Sequence, residues 1–324
     1  MSGGVEAADP TIGGAGPRGS STPAIQWYPG HIAKAEKALS ASLDKVDLVI
    51  EVRDARIPLA TGHPRLQRWI RGRQHLLVLN RRDMISVEAR QRWDRWFRAA
   101  GASPLWCDAK AGTGVKQLQQ AAIRSGEALN ARRRSRGMRP RPVRALMLGF
   151  PNVGKSALIN RLVRQKVVES ARRAGVTRSL RWVRLGQDLD LLDAPGVLPP
   201  RLDDQDAAVR LAICDDIGQA AYDGEGVALA FLRLLTRLAS DADAAVPPEL
   251  LAGRYGVPLS LSPAAGGALE EWLALAATRH TSGDAARMAQ RLLDDFRRQF
   301  LGPIALELPG AAAGSPEPPA APPG

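Results

Sequence analysis

One short stretch constrains this chain more than any other. Ala145-Leu-Met-Leu-Gly149-Phe-Pro-Asn-Val-Gly154-Lys155-Ser156 fits the pattern G-x-x-x-x-G-K-[ST]. An apolar run leads into it and the helical pattern Ala157–Val163 leads out, which is the context a phosphate-binding loop needs. Glycines let successive backbone N–H groups turn inward around phosphate oxygens at a helix N-terminus. The residues expected along the phosphates are Asn152, Val153, Gly154, Lys155, Ser156 and Ala157. Lys155 belongs on the β- and γ-phosphates, as a catalytic group, and the Ser156 hydroxyl on Mg²⁺. Basic residues here are nearly all Arg, with Lys only at 34, 37, 45, 110, 116, 155 and 166. A Lys kept in that background marks a place where a compact ammonium is needed.

The same alternation of apolar run and helix extends beyond the loop. Val46–Val52, Leu76–Leu79, Leu105–Trp106 and Ala145–Leu148 have the look of buried strands. Gln67–Ile70, Val87–Ala100 and Gly114–Leu129 have helical spacing between them. This predicts an α/β fold, a doubly wound, mostly parallel sheet with helices on both faces. Leu180–Leu185 and Leu189–Leu192, joined through Gly186-Gln187-Asp188, form an edge hairpin in this reading. Arg132–Arg144 reads as a linker loop. After Pro199-Pro200 only helical periods follow, at Ala207–Ile217, Gly226–Leu238, Leu269–Thr278 and Ala285–Phe300. The expected organisation is a disordered tail at 1–24, a nucleotide-binding domain at 25–200, an α-helical domain at 201–308 and a second disordered tail at 309–324.

Charge and composition narrow the partners. Lys and Arg number 45 against 33 acids, for a net +12, which suits a polyanion such as RNA. No apolar run reaches the ~18–20 residues of a membrane span. Two cysteines exclude a disulfide framework and point to a reducing compartment, the cytoplasm. His63, His75 and His280 have no metal-ligand spacing and read as surface or structural residues, and Trp93 with Trp96 as a core-facing stripe.

Two further motifs complete a nucleotide site. Asp193-Ala-Pro-Gly196 matches D-x-x-G at the end of the hairpin. Asp193 would hold Mg²⁺ through water, and the Gly196 N–H would face the γ-phosphate. Guanine recognition uses N-K-x-D at a strand end, and the chain carries Asn80-Arg81-Arg82-Asp83 upstream of the phosphate loop rather than downstream. Asp83 is then the acceptor for the base, Asn80 ties this loop to the phosphate loop, and Arg81 stands where a Lys stem covers the base. Taken alone, the segment is equally a surface turn with a helix N-cap. The loop Asp108-Ala109-Lys110 resembles S-A-K, in which the Ala109 N–H meets guanine O6, with Asp108 in place of Ser. The base-reading motifs thus precede the phosphate-reading ones, as in a sheet cut at one loop and rejoined at another.

That order, together with Gly175-Val-Thr177 and the opening Ile25-Gln-Trp27-Tyr-Pro-Gly-His31-Ile-Ala-Lys-Ala, resembles the circularly permuted GTPases and, among them, the ribosome biogenesis GTPase A family. The likeness covers about residues 25–300. It departs at Tyr28, Arg81, Asp108 and Ala157, none of which must contact phosphate or metal. It implies a GTP-binding, GTP-hydrolysing, monomeric assembly factor that meets the large-subunit precursor and its rRNA in the GTP state, with hydrolysis stimulated by the subunit. A non-ribosomal regulatory GTPase, and a module that holds nucleotide without hydrolysis, are the competing readings. The likeness makes Thr177 the switch-one Mg²⁺ ligand and gives Asn152 a share in binding K⁺. Val197 occupies the place where many GTPases carry a water-orienting Gln, and His31 takes that role by resemblance. From the residues alone His31 reads rather as a surface residue at a helix start. Arg172, Arg173 and Arg178 flank switch one and would read RNA backbone in one nucleotide state only.

Overall fold

A computed structural model describes Ile25 and residues 39–310, apart from 41, 71, 167–180, 195, 197–203, 248 and 260–267. His31, Thr177, Val197 and the switch-one arginines lie outside the described residues.

Six strands form one sheet in the order β3-β2-β1-β4-β6-β5. They are β1 Leu48–Asp54, β2 Gln74–Asn80, β3 Leu105–Trp106, β4 Val143–Leu148, β5 Arg181–Leu185 and β6 Leu189–Asp193. All neighbours are parallel except β5, which returns antiparallel to β6. Strands buried on both faces read as continuous apolar runs, as β1 and β4 do. Glu51 breaks the run of β1, and is accommodated by Arg53 Nε at 2.6 Å and His75 Nε2 at 3.2 Å. On one face Leu39, Leu43, Val49, Trp69, Leu146 and Leu192 pack together. The larger cluster on the other face runs without a break from Val52, Leu79 and Met147 into Phe231, Trp272 and Phe296.

The helices are α1 Leu66–Ile70, α2 Val87–Ala99, α3 Val115–Arg124, α4 Glu127–Ser135, α5 Lys155–Lys166, α6 Gln205–Ile213, α7 Gly224–Leu238, α8 Leu250–Tyr255, α9 Ala268–His280 and α10 Ala285–Arg297. Sequence spacing suggested one helix over 114–129 and a linker loop over 132–144. Instead the chain breaks at Ser125-Gly126, where a Cβ on Gly126 would run into Val143, and α4 then carries Arg132 to Arg134 in helix. Arg is a good helix former, so the charge run did not forbid it. Only 136–142 is loop, pinned where Asn130 Nδ2 donates to the Arg141 carbonyl (3.0 Å) and Arg141 grips Asp47 through Nη1 and Nη2 (2.7 and 2.8 Å). Helix α6 stops at Ile213 rather than 217, because Asp215 turns to φ 63°. Helix α8 was not expected.

Among the described residues, everything after β6 is helical or irregular, and α7 packs on α10 through Phe231 and Phe296, 4.9 Å between ring centres. Beyond α10 the chain comes back to the sheet. Leu306 N donates to Arg56 O (3.0 Å), Trp93 Nε1 to Glu307 O (3.0 Å), and Glu307 Oε2 accepts from Leu59 N (2.7 Å). Trp93 is buried and Trp96 meets it edge-on at 5.5 Å, which is the expected core stripe. His63, His75 and His280 are structural: the His63 ring lies tilted against Trp69, 4.3 Å between centres, His75 Nε2 pairs with Glu51, and His280 Nε2 lies 2.8 Å from the Tyr255 carbonyl.

Candidate nucleotide site

Parallel strands expose their carboxyl ends at one edge of the sheet, and Asp54, Asn80, Leu148 and Asp193 end β1, β2, β4 and β6 there. A crevice at that edge is where open α/β sheets bind ligands. The phosphate loop leaves β4 at Gly149 and enters α5 at Lys155. Gly149 and Gly154 both have positive φ, 155° and 98°. A Cβ on the first would strike the Val52 carbonyl and on the second the Asn80 side chain. Asn152 holds φ 55°, the left-handed region that Asn tolerates better than most residues.

Lys155 is buried and donates from Nζ to the carbonyls of Gly149 (3.1 Å) and Phe150 (2.7 Å). Burial pulls its pKa down to about 8, against the opposing pull of Asp193 and Asp216. Its ammonium therefore sits on the loop that a polyphosphate would occupy, already desolvated. Ser156 lies next to it in the first turn of α5, and Ala157 is exposed one residue on. Asp193 is buried at the end of β6, and a Cβ on Gly196 would come within 2.6 Å of Pro151. The D-x-x-G element thus lies against the phosphate loop, as its spacing predicted.

Asn80 joins the base-reading and phosphate-reading halves. Its Nδ2 donates to the Val153 carbonyl (2.9 Å) in a buried setting, and its Oδ1 accepts from the half-buried Ala109 N (3.1 Å). The expected tie between the loops is present. The Ala109 N–H, expected on guanine O6, is instead directed at Asn80. Asp108 accounts for its own departure from Ser: Oδ1 accepts from Lys110 N (2.7 Å) and Ala111 N (2.9 Å), holding the turn. Arg82 contributes backbone, its N–H bonding the Cys107 carbonyl at 3.1 Å and so stitching the two base loops together. Asp83 is exposed, with its carboxyl raised by partial burial and by Asp108 nearby.

Arg81 does not present its guanidinium to a base face. With φ 62° it turns back, donating from Nη1 to Asp54 Oδ2 (2.6 Å) and from Nη2 to the Asn152 carbonyl (2.6 Å). Its Nη1 also lies 3.6 Å from Asp216 Oδ1. This exposes a set of residues that the motifs did not reveal. Asp54 also binds Arg56, through Nη2 at 2.7 Å, and both are fully buried. Burial opposes ionisation of Asp54, but Arg56 and Arg81 outweigh it and hold its carboxyl below the usual range. Asp216 goes the other way, raised by burial and by Asp54, and among the described residues neither of its oxygens has a hydrogen-bond partner. From the same turn, Asp215 O accepts from Asn152 Nδ2 at 2.8 Å. The helical part of the chain thereby touches the phosphate loop. A second touch comes from Gln299 Nε2, which donates to the Asp83 carbonyl at 2.7 Å. The available signal was Asp54-Ala-Arg56 at the end of an apolar run, an ion pair set where the crevice must open.

A phosphate loop, a D-x-x-G element against it and an upstream N-R-x-D loop tied to it by Asn80 define a circularly permuted GTPase fold. Comparison with known proteins agrees. Residues 144–236 match the model of the 50S ribosome-binding GTPase family. A protein named Ribosome biogenesis GTPase A from Bacillus cereus is 36% identical over 213 residues, 66% of this chain and 72% of that protein. Its namesake from Priestia megaterium is 37% identical, across 65% and 74% of the two chains. The mouse protein named Mitochondrial ribosome-associated GTPase 1 is 33% identical, across 59% and 61%. The crystal structure of GNP-bound YlqF from T. maritima superposes with a TM-score of 0.55 at 21% identity, covering 85% of this chain and 98% of that one. This chain belongs to the ribosome biogenesis GTPase A family and is a GTPase.

Proposed function

We propose that this GTPase is an assembly factor for the large ribosomal subunit, binding the precursor particle and its rRNA in the GTP state and released after hydrolysis. The observation that carries the nucleotide half is the Asn80 bridge, which brings motifs in permuted order into one crevice. The ribosomal half is supported by the names of its relatives and by the net charge of +12. In this reading the protein acts as a cytoplasmic monomer in two parts, residues 25–200 holding nucleotide and 201–308 adding RNA contacts. No helix among the described residues is long and apolar enough to cross a membrane.

The chain's own groups divide the work on GTP. Asp83 accepts from the guanine N–H groups, while Asn80 and Arg82 hold the base loops in place. Lys155 turns from the Gly149 and Phe150 carbonyls to the β- and γ-phosphates, and the backbone of Asn152 to Ser156 cradles them. Mg²⁺ would be held by Ser156, Asp193 and Thr177, and when bound it neutralises phosphate charge. Two of these donors fit that ion: Ser156 in the first turn of α5 and Asp193, buried at the end of β6 beside β4, both offer hard oxygens next to the phosphate loop, while Thr177 lies outside the described residues. Asn152 is the candidate K⁺ contact. His31 would orient the attacking water that Val197, an apolar side chain, cannot.

The test is GTP turnover with and without purified large subunits, beside co-sedimentation in GTP-analogue and GDP states. Stimulated turnover and tighter binding with the analogue are expected. His31→Ala should lower stimulated turnover ~10²-fold or more while nucleotide affinity holds. Equal binding in both states and no stimulation would remove the ribosomal reading.

A further inference from the structure

A groove of about 520 Å³ lies at the outer edge of the sheet and uses none of the residues of the nucleotide site. It is lined by Lys45, Arg144, Trp182, Arg184 and Asp190. Arg184, Asp190 and Arg144 stand in register across β5, β6 and β4. Trp182 is two residues before Arg184 on β5, so both project from the same face. It pairs in register with Leu192, which is buried under the Leu39–Leu43 cluster. Trp182 is not covered in that way: 44% of its surface is exposed.

Charged side chains on an edge strand discourage pairing with another sheet, which accounts for the cations. It does not account for the indole. Among the described residues the exposed large aromatics are Trp182 and Phe300. Phe300 has the Arg254 guanidinium 5.0 Å from its ring centre, whereas among the described residues no cation stacks on Trp182. Against three cations the groove carries one acid, Asp190, whose Oδ1 lies 3.6 Å from Arg184 Nε.

We propose that this groove docks an unpaired stretch of RNA, with one base stacked on Trp182 and the flanking phosphates on Lys45, Arg144 and Arg184. A flat exposed indole in a groove lined by three cations is what a single strand needs: a π-face for a base and charge for its backbone. A duplex keeps its base faces stacked internally and cannot use the indole. An acidic peptide would use the cations, but its backbone has no ring, whereas every nucleotide carries a base that can stack on the indole. That the RNA is ribosomal rests on the function proposed above; the chemistry of the groove does not.

The experiment uses the full chain and a fluorescein-labelled ten-nucleotide oligo(U), with a blunt RNA duplex and phosphatidylserine vesicles as the other arms. Trp182→Ala should weaken oligo(U) binding by ~5- to ~150-fold. Trp182→Phe should keep most of the affinity, and duplex binding should not respond to either change. Lys45→Ala, Arg144→Ala and Arg184→Ala combined should reduce the salt slope for the single strand by about 2, at ~0.7 per phosphate. GDP affinity should stay at the wild-type value in all variants, and Trp182→Phe keeps the test valid if Trp182→Ala fails to fold. Unchanged oligo(U) binding in Trp182→Ala overturns the proposal. So does an equal loss on duplex RNA, or a Trp182 dependence seen with vesicles and not with RNA. Co-sedimentation separates the two readings. Trp182-dependent oligo(U) binding without capture by large-subunit precursors sinks the ribosomal function and leaves the groove. Capture that is indifferent to Trp182, with oligo(U) binding unchanged, does the reverse.

Discussion

Replacing Asn80 by Asp perturbs the site at its junction without changing side-chain size. In the wild type Nδ2 donates to the Val153 carbonyl at 2.9 Å and Oδ1 accepts from Ala109 N at 3.1 Å, with only 2% of the residue exposed. Aspartate keeps an acceptor for Ala109 but sets a second oxygen against the Val153 carbonyl. A buried acceptor left without its donor costs about 1–3 kcal/mol. Burying a carboxylate against a carbonyl adds to that, so a loss of ~2 kcal/mol or more is expected. At ~2–4 °C per kcal/mol for a chain of this size, Tm should fall by roughly 4–8 °C. Because the bond ties the base loop to the phosphate loop, GDP affinity should drop by about tenfold or more. Pyrophosphate engages only the phosphate loop and should lose less. Calorimetric titration with both ligands, beside thermal unfolding by circular dichroism, gives the comparison. Wild-type Tm and GDP affinity in Asn80→Asp would refute the bridge as the element that joins the two halves.

Asp83→Asn removes the ionised acceptor for guanine and should cost about 1.5–3 kcal/mol in GDP binding; unchanged affinity by titration sinks the guanine assignment. Asp54→Ala leaves the Arg56 guanidinium, 1% exposed, without its carboxylate, and should destabilise by about 3–5 kcal/mol in urea unfolding; a loss under about 1 kcal/mol would mean Arg56 finds another partner. Burial lifts the Glu307 carboxyl to about 7 from 4.5, so the fold holds its proton where the unfolded chain has lost it. The stability it lends is full below pH 4.5 and is lost as pH rises through about 7. Glu307→Gln cannot ionise and should gain on the wild type by on the order of 3 kcal/mol across that window; parallel pH profiles would exclude this burden.

How much of this was legible in the sequence depends on the range of the forces involved. The phosphate loop, the D-x-x-G turn and the Asn80–Asp83 loop are local: a strand end, special backbone angles and a helix start lie within a few residues. Strand positions were legible because β1 and β4 are apolar without alternation, which only a sheet covered on both faces allows. The break at Gly126 was not, because its cause is Val143, which arrives from β4. Arg81 was assigned by analogy with a Lys and misjudged for the same reason. Asp54 reaches it from 27 positions upstream and Asp216 from 135 downstream, and no periodicity joins positions that far apart. Asp108 looked like a weakening of its motif and is a stronger turn former, since a carboxylate can accept from two N–H groups at once.

The return of residues 304–308 to the sheet also sets a clock on synthesis. The Arg56 carbonyl waits for Leu306 N and the indole of Trp93 for the Glu307 carbonyl, partners made some 250 and 214 positions later. At ~5–20 residues per second, the delay for the longer span is roughly 12–50 s. Over the last 110 of those positions, from Gly196 to Leu306, the nascent GTPase half has its nucleotide motifs but lacks the last segment of its wall. A polypeptide that stalls before residue 304 therefore carries a phosphate loop on an unfinished body, a substrate for proteases rather than a slow enzyme. The fold closes only once residues 304–308 have been made.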